Sequence, residues 1–161
     1  VHSYLRAAIQ AVGKKGRVIH ICHSQGALIT HLATKFLTKE EMQQMEVLCF
    51  GGGAAIRQSP ETPFVRCINY YSTNDPLLFL VPSASKALRS GFMPEDFVFL
   101  APRAGDPVLD HGLLGPTYLK ALEWEGRRFQ NNYHPWAYRT TRILFVTLFL
   151  WGNIISMRME Q

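Results

Sequence analysis

An α/β fold built on a mostly parallel, doubly wound sheet with flanking helices is predicted by three features of the sequence. Short apolar runs of strand character alternate with segments whose apolar residues recur at helical spacing. The first such run, Arg17 to Cys22, is apolar on both faces, as a parallel strand covered by helices on each side must be. Polar turn residues follow the runs directly, at the strand carboxyl ends where open α/β sheets gather their working groups.

The elements follow in order. Val1, Leu5, Ala8, Ile9 and Val12 share one helix face, and Gly13 and Gly16 end the pattern. After the Arg17–Cys22 strand, Leu28, Ile29, Leu32, Ala33, Phe36 and Leu37 form the apolar stripe of a second helix. Thr38 with Glu41 reads as a capping box opening a short helical turn. A second strand spans Glu46 to Phe50 and runs into Gly51-Gly52-Gly53. No Lys-Ser/Thr follows these glycines as a phosphate loop would require, so close backbone approach is their expected role. Val65 to Tyr71 is a third strand, after which Leu77 to Val81 continues apolar and Ser83 to Ser90 forms a short helix. Phe97 to Leu100 is a fourth strand, followed by a loop over Ala101 to Asp110 and then His111. A helix over Pro116 to Arg127 turns Tyr118, Leu119 and Leu122 inward, with Phe129 just beyond it on the same side.

Composition narrows the functional classes. The 161 residues, 47% of them hydrophobic, suffice for one domain with a core of its own. The net charge of +5 comes from scattered Lys and Arg with no basic helix or aromatic-interleaved stripe, which argues against nucleic acid as a partner. Cys22, Cys49 and Cys67 lie in or beside apolar runs and lack metal-ligand spacing. They read as buried thiols of a reducing compartment, favouring a cytoplasmic or membrane-associated location over secretion. No histidine and carboxylate set has the spacing of a metal site, and neither metal nor cofactor is expected. The opening residues form an amphipathic helix pattern, unlike a signal peptide. With no initiator Met, the chain reads as the C-terminal part of a longer protein.

Chemistry concentrates at Cys22-His23-Ser24-Gln25-Gly26, where a strand turns abruptly into a helix. A serine in such a turn is lifted off the sheet edge, and the N–H of the next residue, here Gln25, points where an acyl oxyanion would form. Small residues are needed two before and two after it; Gly26 meets this, while Cys22 stands where glycine is usual. The local alternative for Ser24 is an ordinary helix N-cap. A serine hydroxyl is hardly ionised at neutral pH, so it needs a base and a carboxylate to orient that base. His111 follows the fourth strand and Asp75 the third. Asp75 precedes Pro76 and could equally form an Asx turn. Asp106 and Asp110 compete with it, although Asp110 adjoins His111 and would point elsewhere. Among the other histidines, His23 reads as packing, His20 lies within a strand, His31 sits on the following helix, and His2 and His134 fall outside the edge-forming elements.

The order Ser24, Asp75, His111 is that of α/β-hydrolases. Over about Val1 to Phe129 the chain resembles the C-terminal half of an α/β-hydrolase, and Cys-His-Ser-Gln-Gly, Asn-Asp-Pro and the lone His111 resemble the fungal-type (class 3) lipases. That resemblance implies an esterase acting on a small-molecule or lipid ester through an acyl-serine. Ser24 would be nucleophile, His111 base and then acid, Asp75 its orienter, and Gln25 N–H an oxyanion donor. It further implies earlier strands and a second oxyanion donor upstream of Val1, a donor worth roughly 3 kcal/mol. Without those strands the edge beside the serine strand would be bare. The competing expectation is a silent hydrolase fold serving as a membrane-linked interaction module; a thioesterase or peptidase would share the chemistry.

Residues 130–142 read as a linker, followed by the apolar run 143–157. A spanning helix needs about 20 apolar residues, and this run is short and broken by Thr147, Gly152 and Asn153. A membrane-associated segment and a final helix or strand packed on the body are both compatible with it.

Overall fold

Near-continuous burial along β1 and β2, where both faces of the strand are covered, marks a sheet with helices on each side. The computed structural model describes residues 1–133 together with the strands Phe145–Leu148 and Ile154–Met157. Its elements are α1 (His2–Val12), β1 (Val18–His23), α2 (Gln25–Ala33), a 3₁₀ turn (Thr34–Phe36), α3 (Lys39–Met42), β2 (Met45–Phe50), β3 (Arg66–Ser72), α4 (Pro76–Leu80), α5 (Pro82–Ser90), β4 (Phe97–Leu100), α6 (Pro107–His111), α7 (Pro116–Tyr133), β5 (Phe145–Leu148) and β6 (Ile154–Met157). The sheet order is β4-β3-β2-β1-β5-β6. Strands β1 to β4 are parallel, β5 joins parallel to β1, and β6 is antiparallel to β5. The chain is thus an α/β fold on a mostly parallel sheet.

Residue parity decides which face each side chain serves. Val18, Cys22, Met45, Val47, Cys49 and Cys67 face Leu5, Ala8, Ile9 and Val12 of α1, with Ala27, Leu37 and Met42. Ile19, Ile21, Leu48, Phe50 and Tyr70 face the other way, onto Tyr118 and Phe129 of α7. The capping box forms as expected: Thr38 Oγ1 accepts from Glu41 N–H, and the Glu41 carboxylate accepts from Thr38 N–H at 2.8 Å.

Several boundaries differ from the sequence reading. The apolar stretch after Asp75 is a helix, α4, because Pro76 presets the first-turn φ and the Asp75 side chain caps Leu77 N–H. Helix α7 continues to Tyr133, so residues 130–133 are helical where a linker was expected; 134–142, with His134, lie outside the described residues. Within the apolar 143–157 run, β5 and β6 extend the sheet, and β5 pairs along the edge of β1 where the resemblance implied strands from upstream of Val1. Among the described residues no helix is long and apolar enough to cross a membrane.

At the amino end of the strands, α7 is keyed to the sheet by buried charge. Glu125, fully buried, accepts from Arg66 Nη1 and Nη2 at 2.8 and 2.6 Å, from Arg128 Nε at 2.7 Å and from the Tyr70 hydroxyl. Glu46, also buried, accepts from the Arg128 guanidinium and from Tyr133 Oη at 2.7 Å. Burial alone would push the Glu125 carboxyl up, but the donors from Arg66, Tyr70 and Arg128 outweigh it and hold the group below the ordinary carboxylate range. A depressed folded-state value gives stability that is complete above about pH 4.3 and is lost as acid protonates the group. Glu125→Gln is therefore expected to cost about 3 kcal/mol in urea unfolding at pH 7, because two guanidinium groups lose their shared partner. That difference from the unsubstituted chain should shrink as the pH falls below about 4.3.

Candidate active site

The turn between β1 and α2 is a single residue, Ser24, with φ 53° and ψ −126°. It is the one non-glycine residue at positive φ among the described residues. Such a conformation costs on the order of 1–3 kcal/mol and persists only where the surroundings over-determine it. Here they do: Ser24 N–H donates to Phe50 O at 3.1 Å, and Ser24 O accepts from Gly53 N–H at 2.9 Å and from Ala27 N–H at 3.2 Å. The side chain does not cap the helix. Its hydroxyl lies 3.1 Å from His111 Nε2 instead. Gly26 is buried in the first turn of α2. Cys22 fits where glycine was expected because its side chain turns into the core, its Sγ 2.9 Å from Cys49 Sγ. Burial pushes the Cys49 thiol well up, so it remains protonated.

Asp75 makes a local turn bond and a contact to His111 at once. Oδ1 accepts from Leu77 N–H at 2.9 Å, the local turn bond, while Oδ2 lies 2.7 Å from His111 Nδ1. The carboxylate only accepts, so Nδ1 carries the imidazole proton and Nε2 offers its lone pair to Ser24 Oγ. Asp75 is 0% exposed and the His111 side chain 23%, so the acid is sealed from water while the imidazole is partly exposed.

The triple glycine supplies the close approach expected of it. A Cβ on Gly51, which has φ +51°, would stand 2.8 Å from Asp75 Oδ2 and 2.9 Å from His111 Nδ1. One on Gly52 would stand 2.7 Å from Ala27 Cβ. The end of β2 thus passes so near the site that only glycine fits.

Neither competing aspartate reaches the imidazole. Asp106 caps α6, accepting from Val108 and Leu109 N–H at 2.9 and 3.0 Å. Asp110 is buried and turned away, accepting from Arg103 and Ala104 N–H at 2.9 Å each, from Asn74 Nδ2 at 3.0 Å and from Thr117 Oγ1. Burial opposes its ionisation, but the bonds from Thr117, Ala104, Asn74 and Arg103 prevail and hold it far below the usual carboxylate range. It braces the loop that carries His111. From β1, His23 Nε2 donates to His111 O at 2.7 Å, and the two rings lie 4.7 Å apart. Burial lowers the pKa of His23. His20 is bonded to Thr30 Oγ1 at 2.8 Å, His2 packs on Phe36, and His31 is exposed.

Sequence reading placed Tyr118 in the core, where its ring does lie, and missed its hydroxyl, which donates to Asp75 Oδ2 at 3.1 Å. Helix periodicity identifies the face a residue occupies and says nothing about a contact to a distant loop. Phe79 and Leu80 of α4 and Val108 and Leu109 of α6 are exposed apolar side chains on the two short helices that adjoin the Asp75–His111 pair. Among the described residues no group of three or more His, Cys, Asp or Glu is placed to hold a metal ion. Comparison of the chain with protein-family models, curated proteins and solved structures finds no match.

Gly51→Ala is expected to push Asp75 and His111 apart and to lower the reactivity of Ser24 towards a fluorophosphonate by about 100-fold or more, since ångström-scale misplacement has that effect. Second-order labelling rates on variant and parent, each shown folded by circular dichroism, check this.

Proposed function

We propose that the protein is a serine hydrolase of the α/β-hydrolase type, cleaving a carboxylic ester through an acyl-serine intermediate. The observation that carries the reading is the continuous line from Ser24 Oγ to His111 Nε2 at 3.1 Å and from His111 Nδ1 to Asp75 Oδ2 at 2.7 Å. A strained serine whose hydroxyl meets a base, and a base whose other nitrogen meets a buried carboxylate, is the arrangement that nucleophilic acyl transfer requires.

In the first half-reaction His111 Nε2 takes the Ser24 proton as Oγ attacks the ester carbonyl. The tetrahedral oxyanion forms near Gln25 N–H, the first amide of α2, where a helix N-terminus favours negative charge. As the carbon–oxygen bond to the leaving group breaks, the imidazolium returns the proton to the departing alkoxide. Water, deprotonated by the same nitrogen, then attacks the acyl-serine, and the acid leaves with Ser24 restored. Asp75 stabilises the imidazolium in both halves without taking its proton. The exposed Phe79, Leu80, Val108 and Leu109 support a lipid-like acyl group over a polar one.

Fluorophosphonate labelling, with the adduct mapped by mass spectrometry, tests the reading. Label is expected on Ser24, and His111→Ala should lower its rate by about 10²–10⁴-fold, the usual contribution of a general base. No label on the folded protein would overturn the assignment. On a series of p-nitrophenyl esters, kcat/KM should rise with acyl chain length; a preference for acetate would remove the lipid-like part.

A further inference from the structure

A carboxylate sealed from water needs donors, and Asp75 has three. Leu77 N–H takes Oδ1, while His111 Nδ1–H and the Tyr118 hydroxyl converge on Oδ2. Tyr118 sits in the first turn of α7, fully buried, its ring edge-on to Phe50 at 5.6 Å between centroids. Its hydroxyl is fixed from both sides. Ser72 N–H, at the end of β3, donates to Oη at 2.9 Å, so the single phenolic proton goes to Asp75 at 3.1 Å. Burial and the Asp75 charge push the ionisation of Tyr118 above its ordinary range, which keeps it a donor.

We propose that Tyr118 is a positioning residue for hydrolysis, holding Asp75 Oδ2 on the His111 Nδ1 axis and drawing off part of its charge. This rests on the reading of Ser24, His111 and Asp75 as a hydrolytic triad. The hydroxyl does two things that a phenyl ring in the same place would not. It ties the carboxylate to the end of β3 through Ser72, so that Asp75 cannot rotate about its side-chain bonds without breaking a buried hydrogen bond. It also competes with His111 for the Oδ2 lone pairs, moderating the stabilisation that Asp75 gives the imidazolium.

Tyr118→Phe separates these effects from packing, because the ring stays and only the hydroxyl is lost. The second-order rate of fluorophosphonate inactivation is expected to fall about tenfold, the scale of one hydrogen bond to a charged group. With its charge concentrated on fewer donors, Asp75 favours protonated His111 more strongly, so the acid limb of the rate–pH profile should move to higher pH. The other titratable groups around the pair, His23 of β1, Tyr71 of β3 and Asp110 of α6, are unchanged by the substitution. A purely structural tyrosine would lower thermal stability and leave the limb in place, as Phe129→Leu at a buried position on the same helix should. Should Tyr118→Phe fail to fold, replacing Tyr118 by 3-fluorotyrosine, a stronger donor of nearly the same shape, should move the limb to lower pH. An unmoved limb in a folded variant overturns the role of Tyr118 while Ser24 labelling in the parent still stands. Absence of Ser24 labelling in the parent overturns the triad and the role of Tyr118 together.

Discussion

Burying a carboxylate is costly unless donors meet each of its oxygens, and Asp75 draws its donors from three separate elements. Leu77 belongs to α4, His111 to α6 and Tyr118 to α7. Satisfying one buried charge therefore pins the relative placement of all three helices. The serine turn is added to that frame by a second constraint, the passage of Gly51 against the Asp75–His111 pair and of Gly53 against the Ser24 backbone. The strain at Ser24 is sustained by backbone bonds to Phe50 and Gly53, so the end of β2 serves both partners at once.

Helix α7 carries this order from one end of the sheet to the other. Its first turn holds Thr117 against Asp110 and Tyr118 against Asp75. Farther along, Glu125 and Arg128 engage Arg66 and Glu46, and Tyr133 closes the set. Phe129 packs between these polar anchors on the apolar face of the sheet. Apolar packing alone would let a helix slide along a row of similar side chains. Directional bonds at both ends fix its register and so the height of the Tyr118 hydroxyl beside Asp75.

Much of this architecture was legible in the chain. Strands β1 to β4 fall within about one residue of their apolar runs, since a short continuous apolar run and the glycines and polar turns that end it are local signals. The Thr38–Glu41 box formed as read. Ser24, Asp75 and His111 were singled out by their positions after strands, and in a parallel sheet those ends lie along one edge. The helix at Pro76–Leu80 was missed because its apolar residues mimic a continuing strand and its cap is the same Asp75 that serves the site. The extension of α7 to Tyr133 was missed because Asn131 and Asn132 look like loop, whereas Tyr133 is tied back to Glu46 from the sheet.

The sequence by itself determined strands β1 to β4 and where they stop, because apolar runs, caps and turn residues act over a few positions. Tertiary structure decided which oxygen of Asp75 meets His111, that Asp110 braces a loop instead of meeting the imidazole, and what the Tyr118 hydroxyl touches. The Asp75–His111 and Asp75–Tyr118 contacts join residues 36 and 43 positions apart, and the His111–Ser24 contact residues 87 apart. No local pattern encodes the angle at which such groups meet; that angle follows from how the helices are packed and keyed onto the sheet.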